Sequence, residues 1–118
     1  MGKSYLEPGD ILEFTAPAGD VAAGVPVLIG ALVVIPLDAA AEDEVFRGAV
    51  TGVHSVPKTD EEAWAEGELV YLDATNAEFT TVSTGNYPAG VAVEAVTDDP
   101  GNTTGKVRLN GAGVEAAS

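Results

Sequence analysis

Short runs in which apolar and polar residues alternate, each closed off by glycine or proline, constrain this chain more than anything else in it. Period-2 alternation sends successive side chains to opposite faces of a strand, and frequent breakers leave little room for long helices. Most of the 14 Gly and 7 Pro fall between the runs. The chain therefore reads as all-β, with about eight short strands. Those expected are Ile11 to Thr15, Val25 to Ile29, Ala31 to Pro36, Phe46 to Val56, Leu69 to Asp73, Phe79 to Ser83, Gly90 to Thr97 and Lys106 to Asn110. In the last, Val107 and Leu109 share one face while Lys106, Arg108 and Asn110 share the other, the pattern of a half-buried strand.

Turns are expected at Ala18-Gly19-Asp20, Gly85-Asn86, Asn110-Gly111 and Asp98-Asp99-Pro100-Gly101-Asn102. In the last, Pro presets φ and Gly accepts the positive φ of a type II turn. Gly30 is either a bulge in one bent strand or the tip of a tight turn, and periodicity leaves both open. One short helix is expected from Thr59. Thr59-Asp60-Glu61-Glu62 is a capping box, with Thr59 as N-cap and Glu62 at N3, and Gly67 would end the helix. Ala63 and Trp64 would then cover an open end of the β core, because so short a helix is unstable alone.

Composition sets further bounds. At 118 residues the chain is expected to form a single β domain, 1–118, with a flexible N-terminal arm (1–7) and a loose C-terminal tail (112–118). Hydrophobic residues make up 46% but aromatics only 6%, so the core is built mainly from Val, Leu, Ile and Ala. The expected architecture is a compact β-barrel or a jelly-roll-like β-sandwich. Nineteen acidic residues against 5 basic give a formal charge of −14. Such a surface repels phosphate backbones, so direct nucleic-acid binding is not expected. Solubility, a basic partner or a halophilic source would each produce this bias. With no cysteine there is neither a disulfide framework nor a thiolate metal site. The longest apolar run, Val25 to Leu37, is broken by Pro26, Gly30 and Pro36, and the first residues lack the apolar core of a signal peptide. Neither membrane insertion nor secretion is expected.

Several segments acquire meaning from their order. Pro8-Gly9-Asp10 is followed by Gly24-Val25-Pro26-Val27-Leu28-Ile29-Gly30, then by Gly52-Val53-His54-Ser55-Val56-Pro57-Lys58 and Gly67-Glu68-Leu69-Val70-Tyr71-Leu72-Asp73. Gly90-Val91-Ala92 and Val107-Arg108-Leu109-Asn110 close the series. Together, from about Tyr5 to Gly111, they resemble a family of small tailed-phage proteins that act as capsid cement, or head decoration. The resemblance implies a structural virion protein without enzymatic activity or cofactor. Made in the host cytoplasm, many copies would bind the outer surface of the phage head at joints between major capsid protein subunits and stabilise it against internal DNA pressure. A homo-oligomer is implied, with a trimer favoured over a dimer. Relatives are sometimes labelled phage recombinases, a name that calls for nucleotide chemistry. Gly2-Lys3-Ser4 matches the end of a phosphate-binding loop, but the earlier glycine and strand that such a loop needs do not precede it.

Other chemistry-bearing residues have simpler roles. His54 and Ser55 are adjacent on a strand and point to opposite faces, which prevents a nucleophile–base pair. Asp38, Glu42, Asp43 and Glu44 lack the spacing of a calcium loop, and Asp98 and Asp99 read as turn formers. No catalytic or metal-binding residue is assigned. Capsid or subunit contacts are instead assigned to Lys3, Tyr5 and Leu6 in the arm, which would order by adding a strand to a neighbour's sheet. Lys58, Trp64 and Arg108 complete the set, with local ion pairing the alternative for the two cations and core packing the alternative for Trp64. A glycan- or protein-binding adhesion module and a small carboxylate-based hydrolase are the competing functional classes.

Overall fold

A computed structural model describes residues 8–117. It contains nine strands: β1 (Ile11–Thr15), β2 (Val27–Ile29), β3 (Leu32–Pro36), β4 (Val45–Ala49), β5 (Thr51–Pro57), β6 (Leu69–Asp73), β7 (Glu78–Thr80), β8 (Tyr87–Ala92) and β9 (Thr104–Asn110). They form two antiparallel sheets, ordered β1-β4-β3-β2 and β5-β9-β8-β6-β7. The all-β expectation holds, and every expected strand is represented.

One of them divides. The run Phe46 to Val56 becomes β4 in the smaller sheet and β5 in the larger, with Val50 between them donating its N–H to Asp10 O at 3.0 Å. Both halves carry apolar residues, so composition gives no sign of the crossing. Gly30 is the tip of a tight turn: it has φ +65°, and Ile29 pairs directly with Leu32 across it. The Asp99–Asn102 turn closes as expected, through Asn102 N–H to Asp99 O at 3.2 Å with Gly101 at φ +94°.

The expected helix at Thr59 is not formed, and no helix occurs among the described residues. Glu61 has φ +56°, which breaks a right-handed helix in its first turn. The capping groups have stronger partners elsewhere. Thr59 N–H donates to Phe79 O at 3.0 Å, and the Thr59 hydroxyl donates to Glu78 Oε2 at 2.6 Å. The Glu62 carboxylate accepts from Trp64 Nε1, the Thr80 hydroxyl and Thr81 N, at 2.8, 2.6 and 2.8 Å. Long-range hydrogen bonds to β7 and the residue after it thus replace the local cap.

The larger sheet curls until its outer strands approach: Lys58, just past β5, forms a parallel bridge to Phe79 of β7. Its inward residues, including Val56, Val70, Leu72, Phe79, Val107 and Leu109, fill one core. Strand β3 joins the two sheets through its own alternation. Val33 and Ile35 pack into that core, while Val34 points the other way into a second one with Phe46, Ala16, Val21, Ala40 and Val50. The chain's last described residues return to the β7–β8 connection, where Gly85 N–H donates to Ala117 O and Ala117 N–H to Asn86 O.

Candidate interaction surface

The structure brings two of the residues singled out in the sequence together, and separates them from a third. Lys3, Tyr5 and Leu6 lie outside the described residues. Lys58 is 2% exposed, as is Trp64. The Lys58 ammonium donates to the carbonyls of Thr59 and Glu62 and lies 5.9 Å from the centroid of the Trp64 ring. Trp64 is held in turn by Glu62 and by a reciprocal backbone bridge to Val96. Gly105 of β9 makes room for the ring, since a Cβ there would lie within 2.8 Å of Trp64 Cε3. Lys58, Glu62 and Trp64 therefore form an inward cluster that joins the 59–64 segment to the larger sheet. Both side chains present little surface to a partner.

Arg108 has the opposite environment. It occupies an outward position on β9, a strand whose side chains alternate strictly between exposed and buried. Register places it between Val53 of β5 and Val91 of β8, and Val91 is in turn opposite Leu69 of β6. A row across four strands thus reads Val53, Arg108, Val91, Leu69. Val53 is 58% exposed and Leu69 62%. The adjoining row holds Ser55 opposite Lys106. Sequence reasoning identified Arg108 but not its aliphatic neighbours, because each is an ordinary outward strand residue until the register is known.

The other described cations are engaged. Lys106 pairs with Glu94 at 3.2 Å, and Arg47 pairs with Asp38 at 3.0 Å on the smaller sheet. Hydrogen bonds from the Arg47 side chain and backbone hold the Asp38 carboxyl below the usual carboxylate range, and Asp38 raises the Arg47 pKa. Among the described residues Arg108 has no ion-pair partner.

The remaining polar groups serve local structure. His54 Nε2 lies 2.8 Å from Thr51 O, and Asp99 accepts from the Thr97 hydroxyl. Glu44 accepts from Ala41 N–H, and Asp20 from Glu42 N–H. Among the described residues no three His, Cys, Asp or Glu side chains converge as a metal site would require, and no helix is long and apolar enough to cross a membrane. A cleft of about 450 Å³ runs along outer strand β1 between Ile11, Leu12, Glu13, Phe14 and Arg47. It is open and carries a single acid.

In comparison with known proteins, the chain matches a family model described as phage cement protein over residues 6–109. No curated protein and no solved structure matches the chain.

Proposed function

This chain belongs to the phage cement protein family, and from that premise we propose that it coats the outer surface of a phage head, at joints between major capsid protein subunits. There it holds the shell against the pressure of packaged DNA. The observation that carries this reading is the extent of the family match, which takes in all the described strands but the last residue of β9 and nearly the whole chain. A structural, capsid-associated role follows from the family; the outer surface and the subunit joints are the finer step proposed here.

The mechanism is multivalent. A contact of a few kcal/mol per site becomes effectively permanent when one oligomer grips several capsid subunits, because each later contact forms at high effective concentration. A homo-oligomer meets this requirement, and a trimer suits three-fold or quasi-three-fold positions better than a dimer. Synthesis takes place in the host cytoplasm, and the protein joins the virion from there. The arm, Met1 to Glu7, supplies an additional grip through Lys3, Tyr5 and Leu6 by adding a strand to a neighbour's sheet. Lys58 and Trp64 act behind the surface, by fixing the 59–64 segment.

Cryo-electron microscopy of the native head tests the proposal. A density on the outer shell that fits this 11.9 kDa chain supports it and gives the stoichiometry. Intact heads without that density overturn it. Deleting residues 1–7 is expected to lower occupancy on heads while leaving thermal unfolding unchanged; normal decoration by the truncated protein rules out the arm's role.

A further inference from the structure

We propose that the outward face of the larger sheet, centred on Arg108, is the surface that docks onto a capsid subunit, and that it receives a carboxylate flanked by aliphatic side chains. This rests on the capsid-binding reading above and adds to it the face used and the chemistry it recognises.

Three observations converge on that face. The first is its apolar content: Val53, Val91 and Leu69 line up across four strands, and the two outermost are more than half exposed. Single exposed aliphatics are ordinary on a protein surface; here three of them flank one arginine in a single cross-strand row. The second is the guanidinium set into that row. Arg108 presents a planar fork of donors without an ion-pair partner among the described residues, although the chain carries 19 acidic residues. Such a fork matches a carboxylate bidentately, and arginine among aliphatics is a common centre of binding energy.

The third observation is the distribution of charge. Strands β5, β9 and β8 lie side by side, and none of them contains an Asp or Glu. They carry Lys106 and Arg108, two of only five basic residues in a chain of formal charge −14. Lys106 is paired with Glu94, just past β8, so Arg108 is the cation of this face without an ion-pair partner among the described residues, on three strands that contain no acid of their own. An acidic group is drawn to this face and repelled by the rest, which selects both partner and orientation.

The same charge disfavours pairing of this face with itself, and contact with another face of a second copy is read by the solution mass below. A two-fold contact is isologous, so pairing this face with itself would give Arg108 no carboxylate partner from the facing β5, β8 and β9 strands. Beyond the face, each copy would bring its own excess of carboxylates. A heterologous protein surface with a carboxylate between aliphatic side chains matches both components of the row.

The test measures binding of the full-length protein to purified heads assembled without it, together with the mass of the free protein in solution by light scattering. Arg108→Glu and Leu69→Asp probe the face from two strands, so a folding failure in one variant does not decide the result. Each is expected to weaken head binding about tenfold or more, with solution mass and melting temperature unchanged. Arg47→Gln, which removes a cation from the smaller sheet, is expected to bind like the wild type. Wild-type binding with both face variants equally tight overturns this inference and leaves the capsid reading standing. Loss of the oligomer in the face variants also overturns it, by assigning the face to contacts between copies. Failure of the wild-type protein to bind heads removes the capsid reading and this inference together.

Discussion

The two sheets bury hydrophobic residues in different ways. The larger one curls until β5 and β7 approach, so inward residues such as Leu72, Phe79 and Val107 pack against one another across its own concavity. The smaller one ends in β1 and β2 and relies on loops for cover: Ala16, Val21 and Ala40 close over Phe46 and Val34, while Leu12 and Phe14 remain partly open. A sheet that encloses its own core leaves the outer face of its strands free for contact. A sheet that depends on loops surrounds itself with connections, and the acidic run Asp38, Glu42, Asp43, Glu44 lies in one of them. In the larger sheet the buried core and the proposed docking face lie on opposite sides of the same strands.

Two buried phenylalanines offer the largest effect with which to break that comparison. Phe79 is fully buried in the larger core, and Phe46 is nearly so in the smaller. Truncating Phe79 to Ala is expected to cost about 4 kcal/mol in urea unfolding, within the usual range for a core aromatic. Phe46→Ala is expected to cost about 1 kcal/mol less, because its half-open neighbours Leu12 and Phe14 can move into the space. Equal costs, or the reverse order, would mean that the loop-covered core is as rigid as the curled one.

The Glu62 carboxylate sharpens the comparison at the edge of the larger sheet. Glu62→Gln retains the shape but cannot accept all three hydrogen bonds from Trp64, Thr80 and Thr81. A loss of about 2 kcal/mol is expected, from the buried Thr80 hydroxyl, whose acceptor Oε2 is replaced by an amide nitrogen. A helix cap would predict otherwise, since Gln serves at N3 as well as Glu. The same residue shows where the sequence could be read and where it could not. Strand identity was legible because burial on one face leaves period-2 traces, as in Lys106 to Asn110, and the Asp99–Asn102 turn was legible because Pro and Gly carry their own backbone preferences. The capping box was misleading because Thr59 and Glu62 have partners nearly 20 positions away that no local pattern reveals. The same limit applies at Phe46 to Val56, where two strands of different sheets share one apolar run. At the surface, Arg108 stood out as a scarce cation, while Val53, Val91 and Leu69 became a row only through strand register.

Gly105 gives a smaller effect with a direct optical readout. A methyl group there would press on the Trp64 ring, so Gly105→Ala is expected to cost about 1–2 kcal/mol through displacement of the indole. Trp64 is the only tryptophan, and its fluorescence reports the shift without interference. Unchanged emission and stability would mean that the cluster joining the 59–64 segment to the larger sheet is loosely packed. That would weaken the contrast between a rigid inner side and an outer face free for binding.

The smallest effect belongs to the smaller sheet. Asp38 and Arg47 are paired but exposed, with side-chain exposures of 39% and 60%, so water and salt screen most of their attraction. Because Arg47 holds the Asp38 carboxyl below its usual range, the pair stabilises the fold at pH values above the unfolded carboxylate pKa of about 4. That contribution disappears as pH falls through the lowered folded value. The raised Arg47 pKa adds nothing to pH dependence near neutrality, since the guanidinium stays charged in both states. Arg47→Gln is therefore expected to lower the melting temperature slightly at pH 7 and low salt, and the gap from wild type should narrow both in high salt and at pH values well below 4. A gap that persists in acid would trace the effect to packing of the arginine stem on β1. The smaller sheet would then be held by side-chain cover beyond its loops, bringing it closer in kind to the larger one.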